Sequence, residues 1–349
     1  MLIKKRSTKL GAALIIFAIL LRLVGAFSQS NALVMHPEEP PESGLLRPTT
    51  GTPAPPQTQA TQGTMAPTQG TTTPPPTQAT QTTAPPTTQP PPPPSVLFYA
   101  QDLQYVRVQY AQDCSHRPDV QKLLLQTLAW DLCVDAPTVL IVHSHASESF
   151  TRQPGQTYTE SADYRTLDTA YNMVAVGDLL AQRLTQAGIG VIHDRQIHDY
   201  PSYTASYNNS RASVQAYLAQ YPTIQVVLDL HRDAAEYADG SQYATSATVN
   251  GKKVAQIMFV VGSDGSGNYH PRWQENLATA LKLQALLEQQ APGITRQTIL
   301  RAQRFNHDLS TGAMIVEVGA AGNTLEEAMG AIPILADALI QLMYGANRS

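Results

Sequence analysis

The run from Thr138 to Phe150 reads T-V-L-I-V-H-S-H-A-S-E-S-F, an apolar β-branched stretch that stops at two histidines and a glutamate. Within it, His145 to Glu148 spells H-x-x-E. An imidazole nitrogen and a carboxylate oxygen at this spacing suit Zn2+, which in hydrolytic sites takes about three protein ligands and leaves one position for water. A third ligand must come from elsewhere. Read alone, H-x-x-E serves equally well as a set of ordinary polar loop positions after a strand. Two further apolar runs end in groups of the same kind: His231-Arg232-Asp233 after Ile224 to Leu230, and Glu317 after Ala313 to Val316.

The elements that must position these groups follow from periodicity. Val139 to Val142 is continuously apolar, as a strand buried on both faces of a parallel sheet is, and ligand sites lie outside the carboxyl ends of such strands. Asp168 to Gln186 carries Tyr171, Val174, Leu180 and Leu184 at helical spacing, with Gly188 as a stop. Gly190 to Asp194 reads as a strand, Arg211 to Tyr221 as a helix ended by Pro222, and Thr223 to Leu230 as a strand. This β-α-β alternation predicts an α/β fold, a twisted, mostly parallel sheet flanked by helices. Asn250-Gly251, between two β-rich runs, predicts an antiparallel hairpin that extends the sheet and makes it mixed. Helices at Trp273 to Gln290 and Thr324 to Met343 enclose a last strand, Thr311 to Val318. If the strands are parallel neighbours, His145, His231 and Glu317 converge on one edge.

Composition bounds the remainder. A net charge of -4 over 349 residues excludes an electrostatic case for nucleic acid as partner. Charged residues are only 14% of the chain because one long tract has none. Residues 1–10 are basic and residues 11–27 apolar except for Arg22, which predicts a cytoplasmic N-terminus and a single membrane-spanning anchor, with a cleaved signal peptide as the rival reading. Everything beyond would be extracytoplasmic. Residues 28–95, rich in Pro, Thr and Gln, predict a disordered or polyproline-II tether, and residues 96–349 a single folded domain. Cys114 and Cys133, the two cysteines, form either one disulfide or two free thiols.

From Val139 onward the chain resembles the stage II sporulation protein P family. The motifs that carry the resemblance are H-S-H-A-S-E at His143 to Glu148, Y-N-M-V-A-V-G-D at Tyr171 to Asp178 and G-I-G-V-I-H-D at Gly188 to Asp194. With them come H-D-Y-P-S-Y at His198 to Tyr203, V-V-L-D-L-H-R-D-A at Val226 to Ala234, and I-V-E-V-G-A-A-G-N-T-L-E-E-A at Ile315 to Ala328. That family is similar to zinc-dependent N-acetylmuramoyl-L-alanine amidases, and the fold implied is of the amidase and zinc carboxypeptidase kind.

The resemblance implies zinc held by His145 and His231, with Glu317 as catalytic carboxylate. For the remaining ligand it leaves Glu148, from H-x-x-E, or Asp168, ahead of Asn172; Glu148 is preferred because one strand end pre-organises it with His145. Arg232 is expected near the oxyanion, with a salt bridge to Asp229 or Asp233 as its other reading. His143, two residues before His145 and so on the same side of an extended strand, is a further candidate for the remaining ligand, and is expected rather to contact substrate or to support the ligands. Tyr200 and Tyr203, in a Pro-interrupted loop, are expected to line a groove for glycan or peptide. The substrate implied is peptidoglycan, cut between N-acetylmuramic acid and the stem peptide during engulfment, with stage II sporulation proteins D and M as partners and an added endopeptidase activity in view. The other readings are a peptidoglycan-binding scaffold without turnover and a zinc peptidase acting on stem peptides.

Overall fold

Continuous apolar runs become central strands because each must be covered on two faces. The structure is a computed structural model that describes residues 97–346 apart from 129, 131–135 and 238. The expected anchor and tether, and Cys133, lie outside the described residues. A 3-10 turn (Ala100–Tyr105), β1 (Val108–Tyr110) and α1 (Val120–Leu125) precede β2 (Pro137–Val142). A small hairpin of β3 (Glu160–Ala162) and β4 (Arg165–Thr166) leads to α2 (Met173–Gln186), β5 (Gly190–His193), α3 (Ser206–Gln220) and β6 (Val226–Asp233). Then come β7 (Ser246–Val249), β8 (Lys252–Ala255), β9 (Ile257–Val261), α4 (Trp273–Gln290), β10 (Thr298–Leu300), β11 (Gly312–Ala320) and α5 (Leu325–Ala346).

Seven strands form the main sheet in the order β1-β10-β9-β11-β6-β2-β5. Neighbours run parallel except β9 against β11. The sheet is therefore mixed, as expected, but through a different pair. The hairpin at Asn250-Gly251 does form, both residues taking positive φ (51° and 76°) as its tight turn demands. Its strands β7 and β8 stand apart as a two-stranded sheet instead of extending the main one. The antiparallel member is the next run, β9, which is buried at every position and so belongs in the core sheet, whereas β7 and the start of β8 are partly exposed.

Alternation divides the core. On one face Val139, Ile141, Leu228, Leu230, Phe259, Met314 and Val316 meet α2, α4 and α5 through Leu180, Leu277, Leu281, Ile332 and Leu335. Each such side chain contributes about 1.5–3 kcal/mol when fully buried. On the other, Leu140, Val142, Val227 and Ala313 meet Val214 of α3. Helix α5 is long and apolar enough to cross a membrane, but its inner residues are those of this core. Its start is fixed by a reciprocal capping box: Glu327 N–H donates to Thr324 Oγ1 (3.1 Å) and Thr324 N–H to Glu327 Oε2 (3.2 Å). Helix α2 begins at Met173, later than periodicity suggests, because Asn172 caps it by accepting from Val174 N–H (3.0 Å).

Candidate metal centre

Strands β2, β6 and β11 are consecutive in the sheet and parallel, so their carboxyl ends share one edge. His231 and Glu317 are paired in register across β6 and β11, which puts both side chains on the face that carries α3. Past Glu317 the register shifts and Gly319 takes φ +71°, a bulge that ends regular pairing beside the site. A Cβ at Gly319 would lie 2.8 Å from Asn323 Oδ1. β2 stops at Val142, and residues 144–147 turn, bringing Glu148 back to its place.

His231 is held from behind. Its Nε2 donates to Asp229 Oδ1 (2.8 Å), and Asp229 also accepts from Ser144 N–H (2.7 Å) and Ser144 Oγ (2.7 Å). Burial works against charge on His231, but the adjacent Asp229 carboxylate outweighs it and lifts the imidazole to about 10 in the metal-free protein. Burial would likewise raise Asp229, yet the facing imidazole and the Ser144 donors hold it well below the usual carboxylate range. With Nε2 engaged, Nδ1 faces Glu148 Oε2 at 3.7 Å. A histidine that gives one N–H to a carboxylate and presents its other nitrogen is oriented as a metal ligand would be.

Glu148, buried, accepts at Oε2 from Arg232 N–H (3.2 Å), and its Oε1 lies 3.6 Å from Arg165 and 3.8 Å from Arg232. The His145 ring meets that of His231 edge-on with centroids 5.3 Å apart, and Asp199 Oδ2 lies 3.9 Å from its Nδ1. Glu317 is half-buried as a residue, but its Oε2 is sealed from solvent without a hydrogen-bond partner. Burial, then the nearby Asp233 charge, push its carboxyl well above the usual range, against the pull of His231.

A buried carboxylate oxygen with no partner, beside the His231 imidazole and the Glu148 carboxylate, is chemistry that a cation satisfies. The donor set of His145, Glu148 and His231 fits zinc in kind. It is not a closed set as it stands: among the described residues, no three His, Cys, Asp or Glu side chains lie together as a metal would draw them. Glu148 and His231 are within bridging distance, and His145 flanks them.

The remaining expected residues fare differently. Tyr203 stacks on His145 (4.5 Å, 14°), whereas Tyr200 points outward, 55% exposed. Asp168 is on the surface, where its carboxylate accepts from Ala170 N–H, away from the cluster. His143 corrects the sequence reading. The strand ends before it, so alternation does not carry through to His145, and its ring turns to the α2 side of the sheet. There it is fully buried, with Nδ1 donating to Leu230 O (2.8 Å) and Nε2 meeting His193 Nε2 (2.8 Å). Burial brings it down to about 3, so it is neutral and offers no surface to a substrate.

Arg232 is corrected too. Its guanidinium is spent on the carbonyls of Ser149 (3.1 Å), Tyr164 (3.1 Å) and Asp233 (3.3 Å), so it braces loops, and Asp233 pairs instead with Arg296. The residues that sequence reasoning missed are Asp229, Ser144, Asp199 and Arg165. Arg165 donates to Asp199 Oδ2 (2.9 Å) and lies over Tyr203, 4.7 Å from its centroid. Only Asp229 left a signal, the D-x-H spacing that puts both side chains on one side of a strand.

Fold and site together define an α/β protein with a buried histidine and carboxylate centre at the ends of its parallel strands. The chain belongs to the stage II sporulation protein P family, whose sequence model matches residues 63–340. Stage II sporulation protein P of Bacillus subtilis (strain 168) is 29% identical over 226 residues, covering 61% of this chain and 53% of that protein. The chain thus matches about half the length of that relative. Among solved structures, it is similar to the N-acetylmuramyl-L-alanine amidase Ami1 from Mycobacterium abscessus (14% identity, 61% of this chain and 99% of that one, TM-score 0.37). It is also similar to an N-acetylmuramoyl-L-alanine amidase from Clostridium difficile 630 (17% identity, 60% and 95%, TM-score 0.36).

Proposed function

We propose that this protein is a zinc-dependent peptidoglycan hydrolase of sporulation that cleaves the amide between N-acetylmuramic acid and the stem peptide. The observation that carries the proposal is the gathering of Glu148, His231 and the unpartnered Oε2 of Glu317 at adjacent strand ends. His145, Glu148 and His231 would hold the zinc, which when bound supplies Lewis acidity to the scissile carbonyl and to the attacking water. Glu317 takes the water's proton and returns it to the leaving amine. Its raised proton affinity suits a carboxylate that takes up a proton and returns it. Asp229 fixes which nitrogen of His231 carries the proton, and Ser144 fixes Asp229. Tyr203, on the outer side of His145, contacts the glycan or peptide.

The same proposal takes residues 11–27 as a single membrane anchor, residues 28–95 as a tether, and the domain as extracytoplasmic, where it meets peptidoglycan and stage II sporulation proteins D and M. The test is mass spectrometry of purified peptidoglycan incubated with the zinc-loaded full chain and with Glu317→Gln. Free stem peptides from the wild type alone support the amidase. Shortened peptides mean a stem-peptide endopeptidase, and intact material with zinc bound means a binding scaffold. A Glu317→Gln variant with near-normal turnover would remove Glu317 from its role.

A further inference from the structure

The three proposed metal ligands are shut away from solvent: His145 is 2%, Glu148 1% and His231 4% exposed. A polymeric substrate cannot reach side chains so enclosed, so part of the enclosure must move. Two side chains lie on its outer side. Tyr203 stacks flat on His145 while keeping 38% of its own surface exposed. The Arg165 guanidinium lies on Tyr203 and reaches inward to Asp199, Ser147 Oγ (3.4 Å) and Glu148. They come from separate segments, Arg165 from the β3–β4 hairpin and Tyr203 from a 3-10 turn (Tyr203–Ala205) just ahead of α3. Neither segment belongs to the seven-stranded sheet, and β3 is exposed along its length.

We propose that Arg165 and Tyr203 form a cover that opens as one unit to admit the substrate. The inference rests on reading the cluster as the hydrolytic centre. A guanidinium suits this task because its planar head can exchange one carboxylate and one aromatic face for others without changing charge. Once swung clear, the same pair faces the incoming chain with a cation for a peptide carboxylate and a phenol ring for a sugar face. The class of substrate it selects is therefore an anionic glycopeptide.

Amide hydrogen exchange on the full chain reads this opening without depending on zinc or on turnover, so its failure is distinct from failure of the hydrolase reading. Thr166 N–H donates to Ser147 O (2.8 Å) and Ser149 N–H to Tyr164 O (2.8 Å), so both are released when the hairpin lifts. Tyr203→Ala removes the stack while touching neither amide. Exchange at both positions is expected to rise about tenfold, the population change that loss of one such contact gives. Leu228 in β6 reports global opening and should not change. Arg165→Gln provides a second variant, with the His145 stack kept, in case Tyr203→Ala lowers global stability; it should show the same rise. Unchanged exchange at Thr166 and Ser149 in both variants, or wild-type protection there equal to that of Leu228, would overturn the cover.

Discussion

Asp229→Asn removes one charge and little volume, and the structure sets its cost. Asp229 accepts three hydrogen bonds, one from His231 and two from Ser144, inside a closed site. Breaking a buried ion pair by neutralising one partner costs about 3–5 kcal/mol. The rise of His231 from 6.5 to about 10 corresponds to roughly 5 kcal/mol of added preference for the protonated ring, which agrees with that range. Sign and window follow from the direction of the shift. A histidine whose folded pKa is raised contributes stability that is fully present below the unfolded value, 6.5, and is lost as pH rises through about 10. Asp229, depressed in the fold, contributes stability above its ordinary value of 3.8 that is lost in acid. Urea unfolding of the metal-free full chain should therefore place Asp229→Asn about 3–5 kcal/mol below wild type at pH 6.5, with the gap narrowing as pH rises from 6.5 and nearly closed by about 10. A deficit under about 1 kcal/mol at pH 6.5, or one that does not change with pH, would refute the pairing.

Three further substitutions probe the surroundings. Gly177→Ala would put a Cβ 2.4 Å from His193 Nε2 and 2.7 Å from His143 Nε2; the overlap should exceed the gain in helix propensity of about 1 kcal/mol and lower stability by about 1–3 kcal/mol in a thermal melt. Arg232→Met strips three carbonyls of their donor and should cost about 3 kcal/mol in urea unfolding, so a variant of normal stability and slower turnover would return Arg232 to the oxyanion. Asp168→Asn should leave zinc stoichiometry unchanged by elemental analysis and stability within about 0.5 kcal/mol, because its carboxylate is on the surface.

What the sequence disclosed depended on periodicity. The runs at Val139 and Ala313 read as buried strands because each is apolar without interruption, the run at Val226 because Asp229 alone breaks it, and their adjacency brings His231 and Glu317 together. The same logic fails between His143 and His145: β2 ends at Val142 and residues 144–147 turn, so His143 keeps the side of Val139 and Ile141 while His145 does not share it. The outermost strand β1 and its neighbour β10, three residues each, are too short to show a period. The hairpin at Asn250-Gly251 was visible from its turn chemistry, but which sheet it joins is decided by burial of β9, which a turn does not encode. Asp199 reaches the site from a turn and Arg165 from the two-residue strand β4, where no spacing rule relates them to His145 or Glu148. Asp229 was readable in principle, since residues two apart in a strand share a face.

The central claim, that His145, Glu148 and His231 are one metal centre, is tested most directly by diffraction at the zinc absorption edge from crystals of the zinc-loaded protein. One anomalous peak is expected, bonded to Nδ1 of His231, a carboxylate oxygen of Glu148 and the His145 ring, with Glu317 near but not bonded. A peak elsewhere, or a zinc that leaves His231 paired with Asp229 and uncoordinated, would contradict it.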